Sequence, residues 1–202
     1  MTNNDILRRI RYIFDFNDSK MISIFALADL VVTREQVSNW LKREDNPEYA
    51  SCNDTHMATF LNGFITEKRG KKDGPKPIPE KELSNNIIFR KLKIALNLQN
   101  EDVLDLMQLA GLRISKHELS AFFRRIDHKH YRVCKDQILR NFLQGLQMKY
   151  RPSDSTEKPH EDEISQSESC LSKSPYQSSQ KKPKRSPKSA PKKKGFDWNT
   201  RK

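Results

Sequence analysis

The sequence predicts an all-α protein: a tandem duplication of a four-helix, helix-turn-helix-like unit with a disordered basic C-terminal tail. Three observations carry that expectation. Residues 3–65 match residues 85–147 at a constant offset of 82 positions without a gap; Asn3, Asn4, Ile6, Arg8, Leu27, Ala28, Ser38, Arg43, Asp45, Tyr49, Cys52, Asp54, Phe60, Leu61 and Gly63 all meet the identical residue. Apolar residues recur at helical spacing in both copies, and neither shows the alternation of a strand. After Pro152 the composition turns to Ser, acid, Lys and Pro. The expected organisation is a first helical repeat over 1–68, a Pro/Gly/Lys linker over 69–84, a second repeat over 85–151 and the tail over 152–202.

Each copy reads as four helices. The first is expected to begin after Asn4 or Asn86, because Asn is a good N-cap. Ile6, Leu7, Ile10, Ile13 and Phe14 then share a face, matched by Ile88, Phe89, Leu92, Ala95 and Leu96. The second is expected from Asp18 to about Asp29, with a counterpart carrying Val103, Leu104, Met107 and Ala110 and stopping near Gly111. The third has the clearest start: Thr33 with Gln36, and Ser115 with Glu118, are capping boxes at the same offset. Val37, Trp40 and Leu41, or Leu119, Phe122 and Phe123, form its core side. The fourth starts at Asp54 or Asp136 and buries Met57, Phe60, Leu61 and Phe64, or Leu139, Phe142, Leu143 and Leu146.

The linker's Pro and Gly cannot continue the fourth helix. A connector this short and stiff favours two bundles packed as one pseudo-symmetric body, since about 65 residues alone make a small core. The tail is Ser- and acid-rich over 153–170 and Lys/Pro/Ser-rich over 181–194. Neither stretch buries enough apolar surface to offset its ordering entropy. The acidic half is a candidate to mask the basic half, and Phe196-Asp197-Trp198 is either a short docking element or a chance aromatic pair.

No apolar run approaches the roughly 18 residues of a membrane span. The N-terminus lacks a secretory signal, so a cytoplasmic protein with reduced thiols is expected. The net charge of +12 is uneven. Residues 1–68 hold 8 Lys and Arg against 10 Asp and Glu; residues 85–151 hold 13 against 6. Copies alike in apolar pattern and unlike in charge fit a shared fold with different binding. A basic surplus points to a polyanionic partner, or equally to plain solubility.

Three groups of residues are candidates for nucleic-acid contact. Helices two and three resemble a helix-turn-helix, whose second helix would present Arg34, Ser38, Asn39 and Lys42, or Lys116, His117, Ser120 and Arg124. The turn is longer than the tight DNA-binding version, and structural helical hairpins share the pattern. A basic trio on the first helix recurs as Arg8, Arg9 and Arg11 and as Arg90, Lys91 and Lys93, and a pair closes the third as Lys42-Arg43 and Arg124-Arg125. Cations spaced on rigid helices suit phosphates; a solvated face and compensation of the helix dipole are the structural alternatives. His128 and His130, found only in the second copy, form with Tyr131 an aromatic-basic patch suited to base stacking.

Cys52 and Cys134 coincide under the offset, but no ligand set recurs around them. Buried structural thiols are therefore expected, with no metal and no cofactor. The Gly/Lys-rich stretch over 70–76 lacks P-loop spacing. No paired-carboxylate, Ser/His/Asp or Cys/His arrangement recurs, and a non-enzymatic protein is expected.

The stretches NNDILRRIRY, ALADLVVTREQVSNWLKREDNPEY and LNGFITEKRGKK, with NNIIFRKLKIALNL, ISKHELSAFFR, HKHYR and CKDQILRNFLQGLQ of the second copy, resemble the YehS-like family. These are bacterial proteins built from two copies of a domain of unknown function. The resemblance covers residues 2–151 and implies a cytoplasmic helical protein, with no activity or catalytic residue to carry over. The expected function is binding of RNA, DNA or a ribonucleoprotein through the second copy and tail. The alternative is a protein-interaction adaptor without nucleic-acid contact, its interhelical grooves taking an apolar segment. No membrane contact is expected, and the sequence leaves the oligomeric state open.

Overall fold

Eight helices form in the order α1 (Asn3–Ile13), α2 (Asp18–Leu27), α3 (Arg34–Leu41), α4 (Asp54–Arg69), α5 (Asn85–Ala95), α6 (Asn100–Leu109), α7 (Lys116–Phe122) and α8 (Asp136–Tyr150). They are seen in a computed structural model that describes residues 1–71 and 74–151, and no strand occurs among those residues. The expectations for the tail, including residues 196–198, lie outside the described residues.

The helix starts follow local chemistry. Thr2 and Asp5 close a capping box on α1: the Asp5 N–H donates to Thr2 Oγ1 at 3.2 Å, and the Thr2 N–H donates to Asp5 Oδ2 at 3.1 Å. Ser84 caps α5. The first helices therefore begin earlier than expected, and Asn4 and Asn86 are not caps. Both lie inside their helices, 1% and 3% exposed, where their amides have a larger task described below. The boxes predicted on α3 and α7 are present, with the Thr33 N–H on Gln36 Oε1 and the Ser115 N–H on Glu118 Oε2, both at 2.9 Å. Helix α2 ends at Leu27 and α6 at Leu109, slightly before the expected stops; Asp29 (φ 62°) and Gly111 (φ 77°) turn each chain out of the helix.

The two repeats share one hydrophobic core. Helix α4 packs on α5, and α1 packs on α8. Each repeat thus lends its first helix to the other's fourth. The exchange extends to polar contacts. Asp54 accepts from Asn3 of its own repeat at 2.7 Å and from the Leu83 N–H, which leads into the other, at 2.9 Å. At the equivalent place Asp136 accepts from Asn85 at 2.7 Å and pairs with the Met1 ammonium. The ammonium and then the Asn85 amide hold the Asp136 carboxyl below the ordinary carboxylate range.

In the first repeat α2 crosses α4 at backbone distance, and in the second α6 crosses α8 in the same way. A Cβ on Gly63 would lie 1.9 Å from the Ile24 carbonyl oxygen, and one on Gly145 would lie 2.1 Å from that of Leu106. Neither oxygen belongs to a side chain that can swing away, so the helices must part to admit a methyl group. Gly63→Ala and Gly145→Ala are each expected to cost about 2–3 kcal/mol or more, read as a lower urea midpoint by circular dichroism. Equal midpoints for wild type and variants would refute the close crossing.

Candidate functional site

A surface whose charges differ from those of its own duplicate lies where α7 ends and the chain turns toward α8. Leu119, Ala121 and Phe122 are buried, which turns Lys116 and His117 outward. The chain then doubles back: the His128 N–H donates to Arg125 O at 3.0 Å, and the Tyr131 N–H to His128 O at 2.7 Å. The Arg132 N–H donates to Ala121 O at 3.2 Å and ties the loop to α7. The Asn86 amide completes the anchorage, donating to Phe122 O and Arg132 O at 2.9 Å each and accepting from the Cys134 N–H at 2.9 Å.

Between α7 and this loop lies a groove of about 370 Å³, lined by His117, Glu118, Ala121, Arg124, Lys129, His130, Tyr131 and Arg132. Arg124 Nη1 lies 3.5 Å from His128 Nδ1, which also accepts the His130 N–H at 3.1 Å; the two imidazole rings are 5.7 Å apart. Glu118 is the only acid of the lining, and its carboxylate is engaged by the Ser115 N–H and hydroxyl, which hold it below its ordinary range. The groove is therefore electropositive and carries the Tyr131 ring beside two imidazoles.

The first repeat builds the same backbone and neutralises it. The Ala50 N–H donates to Asn39 O at 3.2 Å, and Asn4 donates to Trp40 O and Ala50 O at 2.8 Å each while accepting from the Cys52 N–H at 3.0 Å. Where the second repeat has His117, Lys129, His130 and Arg132, the first has Glu35, Pro47, Glu48 and Ala50. Lys42, the counterpart of Arg124, is engaged by Glu48 and by Asn39 Oδ1 at 2.9 Å.

The structure brings together only some of the expected contact residues. His117, Arg124, His130 and Tyr131 meet in the groove, with His128 against Arg124; Lys129 and Arg132 join them. These last two were not singled out, although Lys129 sits inside the His-Lys-His-Tyr segment. Lys116 pairs with Glu101 at 3.1 Å on the adjoining surface, and Arg125 is exposed. The connection before α7 spans residues 110–115, and α7 has seven residues; the following loop is tied to its C-terminal end, so this surface is a groove rather than a bare helix.

The basic trio is dispersed by tertiary contacts. Arg8 donates to Lys42 O at 2.7 Å and Arg90 to Phe123 O at 2.8 Å, so both satisfy carbonyls at the end of the third helix. Arg11 donates to Phe16 O at 3.1 Å and pairs with Asp18 at 2.9 Å, and Lys93 reaches Asn100 and lies 4.9 Å over the Phe123 ring. Arg9 is half-buried, with its guanidinium pushed below its ordinary value by burial and then by Arg140 of the other repeat. Lys91 is 8% exposed and its ammonium lies between Asn62 and Glu80, the latter at 2.9 Å. It is an inter-repeat strut, not a surface cation.

Residues 3–70 and 85–151 each match the family described as Protein of unknown function (DUF1456). The chain belongs to that family. It is 43% identical to the uncharacterized protein YehS of Escherichia coli (strain K12) over 147 residues, which cover 72% of this chain and 94% of YehS. No solved structure matches the chain. The two matched segments contain all eight helices, so the groove in α7 and its loop lies inside the second family domain.

Among the described residues, no group of three or more His, Cys, Asp or Glu side chains is placed to hold a metal ion, and no helix is long and apolar enough to cross a membrane. Cys52 and Cys134 are 2% and 0% exposed and unpaired. Burial, aided by Asp54 and Asp136, pushes both thiols up to about 12 from the ordinary 9.0. An unfolded thiol releases its proton first, so the stability these groups contribute below pH 9 is lost as pH climbs from 9 toward 12. At pH 10 the loss relative to pH 8 is expected to be on the order of 1–2 kcal/mol per thiol. Urea titrations at the two pH values should show it, and Cys52→Ala with Cys134→Ala should remove it; an unchanged pH dependence in that variant contradicts this role.

Proposed function

We propose that this protein binds nucleic acid, free or within a ribonucleoprotein, through the groove between α7 and its following loop, and that it catalyses no reaction. The observation that carries the reading is the contrast between the copies. One backbone shape is built twice, and the first copy fills it with Glu35, Glu48 and a tied Lys42. The second has Arg124, Lys129, Arg132 and two histidines there, and the tyrosine is common to both copies as Tyr49 and Tyr131. Cations on an anchored loop suit spaced phosphates, and an aromatic ring beside them suits a base. The fixed anchorage by Asn86 means that little loop ordering remains to be paid on binding.

A second reading, the protein-interaction adaptor, rests on a different groove. About 560 Å³ lies between the ends of α2 and α4 and the linker, lined by Leu27, Ala28, Ile65, Pro75, Pro77, Ile78 and Pro79 among others, and Ile78 is 88% exposed. That surface is apolar and lies on the first repeat, so the two readings are separable by mutation.

The test is binding of random-sequence RNA and DNA oligonucleotides across a salt series, with the full chain and with residues 152–202 removed. Each phosphate contact contributes about 0.7–0.9 to the log–log salt slope. Arg124→Glu, Lys129→Glu and Arg132→Glu together should weaken binding and reduce the slope by about 2 to 3, while Ile78→Ser leaves both unchanged. Absent or salt-independent binding by the full chain rejects the proposal.

A further inference from the structure

A second pair of grooves matches residue for residue under the 82-position offset. Each lies where the first helix of one repeat ends beside the last turn of the other repeat's fourth helix. One, of about 350 Å³, gathers Arg69, Arg90 and Lys93; the other gathers the equivalent Arg151, Arg8 and Arg11. The backbone anchors are the same in both. Arg69 donates to Ile94 O at 3.3 Å and Arg151 to Tyr12 O at 3.0 Å, and Arg90 and Arg8 close the third helices as described.

The difference lies in the acids. In the groove of Arg8, Arg11 and Arg151, the first groove in chain order, every cation has a carboxylate: Arg8 has Asp5, Arg11 has Asp18 at 2.9 Å, and Arg151 has Asp15 at 3.5 Å. The equivalent positions around the second groove, that of Arg69, Arg90 and Lys93, are Ile87, Asn100 and Asn97. All three carboxylates are gone while all three cations remain. Asp15 and Asn97 share the left-handed backbone, φ 53° and 52°, a conformation that Asp and Asn both tolerate, so the exchange alters charge and not shape. Glu101 lies toward Lys93 but is engaged by Lys116.

We propose that the Arg69–Arg90–Lys93 groove is a binding site for an organic phosphate, distinct from the α7 groove and formed only when both repeats are present. Each guanidinium spends a donor on a helix-end carbonyl and has others left. Two guanidinium forks and an ammonium suit the several acceptor oxygens of a phosphate. The floor of Ile94, Leu98 and Phe123 gives the organic part of the ligand an apolar seat.

The test is titration of the isotope-labelled full chain with phenyl phosphate, followed by NMR. Saturable shifts are expected at the Ile94, Asn97, Leu98 and Phe123 amides. Asn97→Asp with Asn100→Asp restores two of the first groove's carboxylates and should weaken binding about tenfold or more; Arg69→Gln should abolish it. Asp15→Asn with Asp18→Asn should create a second set of shifts at Tyr12 and Phe16. A short single-stranded oligonucleotide identifies the phosphate's source. Weakening by Asn97→Asp with Asn100→Asp in parallel with phenyl phosphate assigns it to a nucleic-acid backbone; unchanged oligonucleotide binding assigns it to a free ester. The Arg124, Lys129 and Arg132 reversal leaves phenyl phosphate binding intact, which separates this site from the α7 groove. Absence of saturable shifts in the wild type, or equal affinity in the Asn97→Asp, Asn100→Asp variant, overturns the proposal.

Discussion

The end of the third helix and the stretch that follows it leave three backbone groups in each repeat to be satisfied from outside, and one asparagine side chain answers all three. Asn86 donates to Phe122 O and Arg132 O and accepts from the Cys134 N–H; Asn4 does the same for Trp40, Ala50 and Cys52. A buried backbone group without a partner costs about 1–3 kcal/mol, so the asparagine holds the loop as firmly as a strand pairing would. The loop in turn sets the wall of the α7 groove and the depth of the adjoining thiol. Shape at the candidate site is thus dictated from the floor of α5, several elements away in sequence.

The second constraint is the exchange of helices between repeats. Because α1 packs on α8 and α4 on α5, neither repeat completes its own surface. Lys91 illustrates the consequence: its stem is buried and its ammonium is satisfied by α4 and the linker. Arg69 shows the converse, a first-repeat residue that ends on the second repeat's α5. Fusion of the two units gives each copy freedom to change its charges while the shared core stays constant. Arg8, Arg11 and Lys42 of the first copy have carboxylate partners, whereas their second-copy counterparts Arg90, Lys93 and Arg124 line two separate grooves.

Much of the helical framework was legible in the residues themselves. Capping boxes join residues three apart, and apolar faces repeat every three to four residues. Thr33 with Gln36, Ser115 with Glu118, and the starts of α4 and α8 were readable on those grounds. Asn4 and Asn86 were misread as caps because an Asn near a helix start is a cap by local rule; only burial against a distant loop gives it another task. The basic trio was legible as charge and not as availability, since Arg8 and Arg90 meet carbonyls more than thirty residues away.

The sequence by itself determined the duplication, the helical class, the two charge balances and the residues from which a positive surface can be made. Those properties are local or additive, and a linear comparison exposes them. Tertiary structure decided which cations face solvent, which are spent on helix ends, and which loop residues, Lys129 and Arg132 among them, stand beside Arg124. The physical reason is that a charge is available only if no nearby acceptor has claimed it, and the acceptors here come from other helices and from the other repeat.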